Sequence, residues 1–306
     1  MEVEELYRAA EIEGAVSDPK TAHLILNKEE VIDMNDVPGL SVEPKSTEKG
    51  VDVAINVAEG SIIEKPVHLC FGMTQTEGTQ KINLKIKIEK DAEIGVLAHC
   101  VFPRALDVKH VMDADIHVEE NAEYTYLEKH IHSPEGGTTV IPRAEVKLEE
   151  NAKFKTDFEL VQGRVGLLDI DYETTCGKNS MMEMTAKVNG TEDDEIRISE
   201  KGNLTGEGAR GVLTTRVAAR DNTEAEVYNK LSATALYARG HVDCKEIVQD
   251  NGRANAVPVV EVKHPQAHVT HEAAIGSVDR KQLETLMARG LSEEEGADLI
   301  IEGLLS

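Results

Sequence analysis

The sequence predicts a mainly β fold in which the chain winds into a solenoid. Three observations carry this. Apolar and polar residues alternate from Val51 to about Val262, as in Val51, Val53, Ile55 and Val57, the period of a strand with one face buried. Within that stretch one pattern returns at a fixed interval. Trp is absent, and four Phe and six Tyr leave a core built from aliphatic side chains.

The repeat centres on Ala92, Ala122 and Ala152, which lie 30 residues apart. Each alanine follows Asp91, Asn121 or Asn151, and an acid (Glu89, Glu119, Glu149) stands two residues earlier still. Apolar residues precede each corner, as in Leu84, Ile86 and Ile88, and another follows two positions after the alanine. Asp and Asn tolerate the left-handed backbone of a tight corner, and a small alanine fits where layers stack closely. Each coil of a solenoid buries its apolar face only against its neighbours. An antiparallel meander gives similar alternation, but the regular spacing favours the solenoid.

Before this core, Met1 to about Ala15 is rich in Glu and Ala and reads as a helix. Asp36 to Gly50, with two prolines and two glycines, reads as a connection, so residues 1–50 form a helical and irregular leading region. The core is expected over residues 51–272. Residues 273–306 turn helical: Asp279 opens one helix carrying Leu283, Leu286 and Met287, and Gly290 stops it. Ser292 with Glu295 is a capping-box pattern, followed by a stripe of Ala297, Ile300, Ile301 and Leu304. This C-terminal helical hairpin either caps the solenoid or docks a partner; periodicity leaves both open.

Formal charge is −24, from 57 acidic against 33 basic residues. Such a field repels phosphate backbones and anionic lipid, which argues against nucleic-acid and membrane-surface partners. No apolar run approaches 20 residues and no cationic-then-apolar leader opens the sequence, so a cytoplasmic location is expected. Cys70, Cys100, Cys176 and Cys244 stand far apart with no CxxC pair, and are expected as free thiols. There is no phosphate-binding loop, dinucleotide loop, kinase set or GxSxG. Gly202, Gly206, Gly208 and Gly211 read as solenoid corners.

Candidate chemistry concentrates between His241 and Glu272, where Cys244, His264, His268, His271 and Glu272 offer thiolate, imidazole and carboxylate. That mixture suits iron or zinc. His241 and Lys245 flank Cys244, and a nearby cation favours the thiolate. The spacing is not HExxH. On the residues alone, a metal site and a set of surface histidines that bind nothing stand level.

The ordered tract of Cys244, Gly252 to Pro258, Glu261 to Pro265, Val269 to Ala274 and Arg289 to Glu294 resembles the C-terminal core of SufB/SufD scaffold proteins. Glu64 to Leu69 is similar to the start of that family's solenoid, so the resemblance runs from about residue 50 to the end. It implies a right-handed parallel β-helix whose terminal helices bind a SufC-type ABC ATPase. It also implies dimerisation through the β-helix, as a homodimer or with a SufD-like paralogue. A transient iron–sulfur cluster would be built at that interface and passed to apo iron–sulfur proteins. The chain would be a scaffold rather than an enzyme, with ATPase activity in the partner; a flavin requirement is left open.

The resemblance makes Cys244 the sulfur acceptor and a cluster ligand, joined by His271 and Glu272. Cys100, followed by Pro103, resembles the family's Cys-x-x-Pro cysteine, which relays sulfur along the β-helix interior. Cys70 and Cys176 match no functional position and are expected as buried structural cysteines. The chain resembles the family core without the long N-terminal region of bacterial members. Thr270 stands where bacterial SufB has Glu, and His130, Ile131 and His132 stand where it reads Gln-Asn-Trp. Two rivals remain: a SufD-like partner that binds no cluster, and a carbohydrate-active β-solenoid lyase or hydrolase, against which the scarcity of aromatic residues counts.

Overall fold

The computed structural model describes residues 2–305. Two short helices, α1 (Glu2–Ala9) and α2 (Glu13–Ser17), lead into β1 (His23–Asn27), β2 (Glu30–Asn35), β3 (Leu40–Thr47) and β4 (Gly50–Val57). There follow β5 (Val67–Gly72), β6 (Glu77–Ile88), β7 (Glu93–Phe102), β8 (Asp107–Val118), β9 (Glu123–His132) and β10 (Thr138–Leu148). Then come β11 (Lys153–Gln162), β12 (Gly166–Cys176), β13 (Met181–Gly190), β14 (Glu195–Leu204) and β15 (Arg210–Ala219). The last strands are β16 (Glu224–Ala233), β17 (Arg239–Val248), β18 (Arg253–Val262) and β19 (His268–Gly276), before α3 (Arg280–Met287) and α4 (Glu293–Leu305).

From β4 onward the strands alternate between two facing sheets, and each of β6 to β17 pairs in parallel with the strands two before and two after it. The result is a parallel β-solenoid of about 8 turns. Alternation along each strand sends one side chain in two to the interior. Ile82, Leu84, Ile86 and Ile88 of β6 are buried facing Ile94, Val96 and Ala98 of β7.

The repeat marks the corners. Asp91, Asn121 and Asn151 have φ of +58°, +59° and +60°, and the alanine after each is buried. Their side chains stack as a ladder: the Asn121 amide donates to Asp91 at 2.7 Å and that of Asn151 to Asn121 at 2.9 Å. Each coil thus pins the next at its tightest point. Of the four glycines read as corners, only Gly206 and Gly208 lie in a turn. Gly202 and Gly211 are strand residues of β14 and β15. A Cβ on Gly202 would lie 2.1 Å from Met182 and 2.6 Å from Leu231, so that glycine makes room for large interior side chains.

In the leading region the helical segment forms, as α1 and α2, but the stretch read as a connection pairs into strands. β1 joins the first sheet parallel to β5, and β2 closes that sheet antiparallel to β1. β3 runs antiparallel to β4 and carries Pro44. A proline lacking an N–H is tolerated there because β3 is the edge of its sheet. α1 and α2 lie outside the solenoid, where Leu6 and Ile12 bury Ile25, Cys70 and Val101.

At the other end the helical hairpin forms as expected. The Asp279 side chain accepts from the Gln282 amide at 2.7 Å. The Ser292 amide donates to Glu295 at 2.7 Å while the Glu295 amide donates to the Ser292 hydroxyl at 3.2 Å. Ile301 and Leu305 of α4 pack on Ala218 of β15, with Ile247 beside them, and Arg220 pairs with Asp298 at 2.8 Å. No described helix is long and apolar enough to cross a membrane.

Candidate functional site

Two sets of candidate side chains occupy different parts of the solenoid. The first is at its C-terminal mouth. Cys244 faces inward from β17, fully buried, with the Asn229 amide 3.4 Å from Sγ. Burial, with Glu246 nearby, pushes its thiol up to about 11. The expectation that His241 and Lys245 would favour the thiolate is not met. On a strand odd and even positions face opposite ways, so Lys245 and His241 lie outside while Cys244 lies inside. His241 instead bonds the Thr270 hydroxyl at 2.8 Å.

β19 pairs with β17 so that His271 lies over Val242, Glu272 over Asp243 and Ala273 over Cys244. His271 therefore shares the interior side with Cys244, one coil nearer the mouth. Glu272 is on the outer side, 3.9 Å from the Lys245 ammonium. Lys245 continues to Asp243, which also pairs with Arg216. The chain brings Cys244 and His271 to one side and leaves Glu272 on the other. His264 and His268 are in or next to the turn before β19, both away from the interior.

The second set surrounds Cys100, buried on β7. Its Sγ lies 3.6 Å from Glu128 Oε1 and 3.7 Å from His110 Nε2. Glu128 Oε1 is 2.8 Å from His130 Nε2, and the Tyr172 hydroxyl donates to Glu128 Oε2 at 3.3 Å. His130 Nδ1 is 3.1 Å from His132 Nε2, and His132 Nδ1 donates to the Arg164 carbonyl at 3.0 Å. His110 Nδ1 is 2.9 Å from Gln80 Oε1, and the Gln80 amide donates to the carbonyls of Lys28 and Gly72. Burial drives the Cys100 thiol well above its ordinary range and His110 down to about 3.

Further polar groups continue along the interior. Glu200 is buried, its carboxyl pushed up to about 8 by desolvation. The Asn229 amide spans 2.6 Å to the Thr215 hydroxyl as well as reaching Cys244. Cys70 and Cys176 are buried thiols, one under the N-terminal helices and one in the core. Apart from Cys100 and the expected departure at His130 and His132, the interior polar residues were not singled out in the sequence. The signal was present: Glu128, His130 and His132 occupy the same alternate positions as Tyr124 and Tyr126 on β9.

The chain is a parallel β-solenoid whose interior sets thiols, imidazoles and carboxyls among apolar side chains, donor types that suit iron or zinc. Comparison with known proteins places it in a family. The family model for the SUF system FeS cluster assembly SufBD core domain matches residues 71–304. An iron-sulfur cluster assembly SufBD family protein of Methanocaldococcus jannaschii is 36% identical over 286 residues, 94% of this chain and 90% of that protein. One from Pyrococcus horikoshii is 35% identical over 301 residues, 98% of this chain and 92% of its own length. A Staphylococcus aureus member aligns over 69 residues at 36% identity, 22% of this chain and 15% of that protein. The chain belongs to the SufBD family of iron–sulfur cluster assembly proteins.

Proposed function

We propose that the chain is the scaffold on which a nascent iron–sulfur cluster is built between two protomers and from which apo-proteins receive it. The observation that carries this reading is the solenoid mouth. β18 and β19 are the free edges of the two sheets, and Cys244 lies one coil inside, beneath the small Ala273. A second copy, or a SufD-like paralogue, set against this mouth across a two-fold axis would bring two such thiols together. Cys244 and His271 supply thiolate and imidazole from inside each protomer. Glu272, outside, is placed to serve the shared site from the edge. Mixed ligation of this kind holds a cluster less firmly than four thiolates, which suits a site that must release its product.

Cys244 is fully buried, so the mouth must open for iron and sulfur to enter. The α3–α4 hairpin follows β19 after three residues and docks on the outer face of β15. A SufC-type ABC ATPase gripping this hairpin would pull on the last strand. Nucleotide binding would then bias the mouth between closed and open states. Leu286, Leu299, Ile300 and Leu304 line a groove between the helices that such a partner could fill. The work of ATP hydrolysis would reside in that partner, and the complex would operate in the cytoplasm. Cys100 would receive sulfur and pass it along the interior. It stands five coils from Cys244, roughly 24 Å at ~4.8 Å per strand, too far for direct exchange between the two thiols.

Anaerobic reconstitution with iron and sulfide should give a labile brown chromophore, and Cys244→Ser should abolish it. A Cys244→Ser chain that binds iron and sulfide as well as the parent sinks the scaffold reading and leaves the SufD-like partner role, which needs no acceptor thiol.

A further inference from the structure

We propose that Cys100, His110, Glu128 and His130 form a binding site for one divalent cation of borderline softness, zinc(II) or iron(II), inside the solenoid. The site is separate from the cluster site at the mouth, and the proposal does not rest on the scaffold reading.

Donor atoms of Cys100, Glu128 and His130 all lie within 4.8 Å of one another, and all three residues are buried. His110 Nε2, on the opposite sheet, stands 3.7 Å from Sγ but outside that mutual 4.8 Å group, and becomes the fourth donor by moving toward Glu128 and His130. A tetrahedral zinc with its usual bond lengths separates a sulfur ligand from a nitrogen or oxygen ligand by about 3.6 Å. The Cys100 contacts to Glu128 and His110 are 3.6 and 3.7 Å. The Glu128–His130 pair, at 2.8 Å, must part by about half an ångström to a metal-bound edge of ~3.3 Å.

The surrounding bonds already aim each ligand. Gln80 is fixed by donating its amide to two backbone carbonyls, so its Oε1 accepts from His110 Nδ1. That leaves the lone pair of His110 Nε2 pointing at Cys100. By the same logic His132 donates from Nδ1 to the Arg164 carbonyl and accepts at Nε2 from His130 Nδ1. His130 Nε2 thus faces Glu128 and the thiol. Tyr172 holds the other oxygen of Glu128. Each ligand except the thiol therefore has a dedicated orienting partner, as metal-bound histidines and carboxylates do. Charge points the same way: one thiolate and one carboxylate neutralise a divalent ion, so the assembled site carries no net charge into the apolar interior.

The test uses the full chain, freed of metal without oxygen, in a Cys244→Ser background that silences the mouth. Cobalt(II), a coloured stand-in for zinc, should bind one per chain. It should give the visible bands of a tetrahedral ion and a near-ultraviolet thiolate-to-cobalt band, both erased by zinc(II). Adding Cys100→Ser should remove the thiolate band, and His110→Gln should weaken binding at least tenfold. No cobalt bound, or a thiolate band that survives Cys100→Ser, overturns the site. Should Cys100→Ser not fold, X-ray absorption of the zinc-loaded Cys244→Ser chain decides. One sulfur at about 2.3 Å with nitrogen and oxygen at about 2.0 Å supports the site; a shell without sulfur overturns it. Failure of cluster reconstitution leaves these outcomes untouched.

Discussion

Glu200 sits inside the solenoid on β14, 1% exposed, with Oε2 unpaired. Burial lifts its carboxyl from 4.5 to about 8. The folded chain therefore keeps a proton that the unfolded chain gives up across this range. Stability from this group is greatest below 4.5 and declines as pH rises toward 8, by roughly 1.4 kcal/mol per pH unit at most. Glu200→Gln keeps the shape and removes the titration. Its denaturant unfolding should match the parent near pH 4.5 and exceed it increasingly up to pH 8. A gap that does not change with pH would contradict a neutral buried Glu200. The single-residue scale is also where sequence reading reached least far. Cys244 was visible as a thiol among ligands, but its neighbours in sequence are not its neighbours in space. The face each strand residue takes decides that, and it separates Glu272 from His271 and Lys245 from Cys244.

Elements with strong local signals were legible. The Asp or Asn before each small alanine specified corners, and φ near +60° at Asp91, Asn121 and Asn151 is the backbone those residues tolerate. Asp279 and the Ser292–Glu295 pair capped two helices from within their own turns. The strands β1 to β3 were missed because β1 is held in its sheet by β5, some 45 residues away, and Pro44 argues locally against a strand in β3. Helix α4 shows the same division. Its existence was readable, but its apolar stripe splits: Ala297, Ile301 and Leu305 are buried, while Ile300 and Leu304 face the groove. Ile301→Ala should loosen the docking by about 2 kcal/mol, toward the low end for a buried aliphatic truncation. Amide exchange in α4 should quicken while exchange in β7 to β15 stays unchanged. Faster exchange across the whole solenoid, or none in α4, would contradict docking by this face.

At the scale of the whole molecule the two ends of the solenoid differ, and the difference says where a second chain can join. Free strand edges recruit other strands unless they are blunted. At the N-terminal end β2 is six residues long, broken by an irregular register against β1 and charged at Glu30 and Asp33. β3 carries Pro44 and Lys45. At the C-terminal end β18 and β19 are ten and nine residues long, and Pro258 alone interrupts the donors of β18. Val262 and Ile275, each 47% exposed, lie on the two strands at the open mouth. Pairing of protomers, as proposed, should therefore run through this end. Lysines at both positions, Val262→Lys with Ile275→Lys, add charge to the mouth without entering the packed coils below. Sedimentation should show the double variant at half the mass of the parent, with unchanged circular dichroism. A parent that already sediments as one chain would contradict self-pairing, and a double variant that keeps the parent's larger mass would place the partner surface elsewhere on the solenoid.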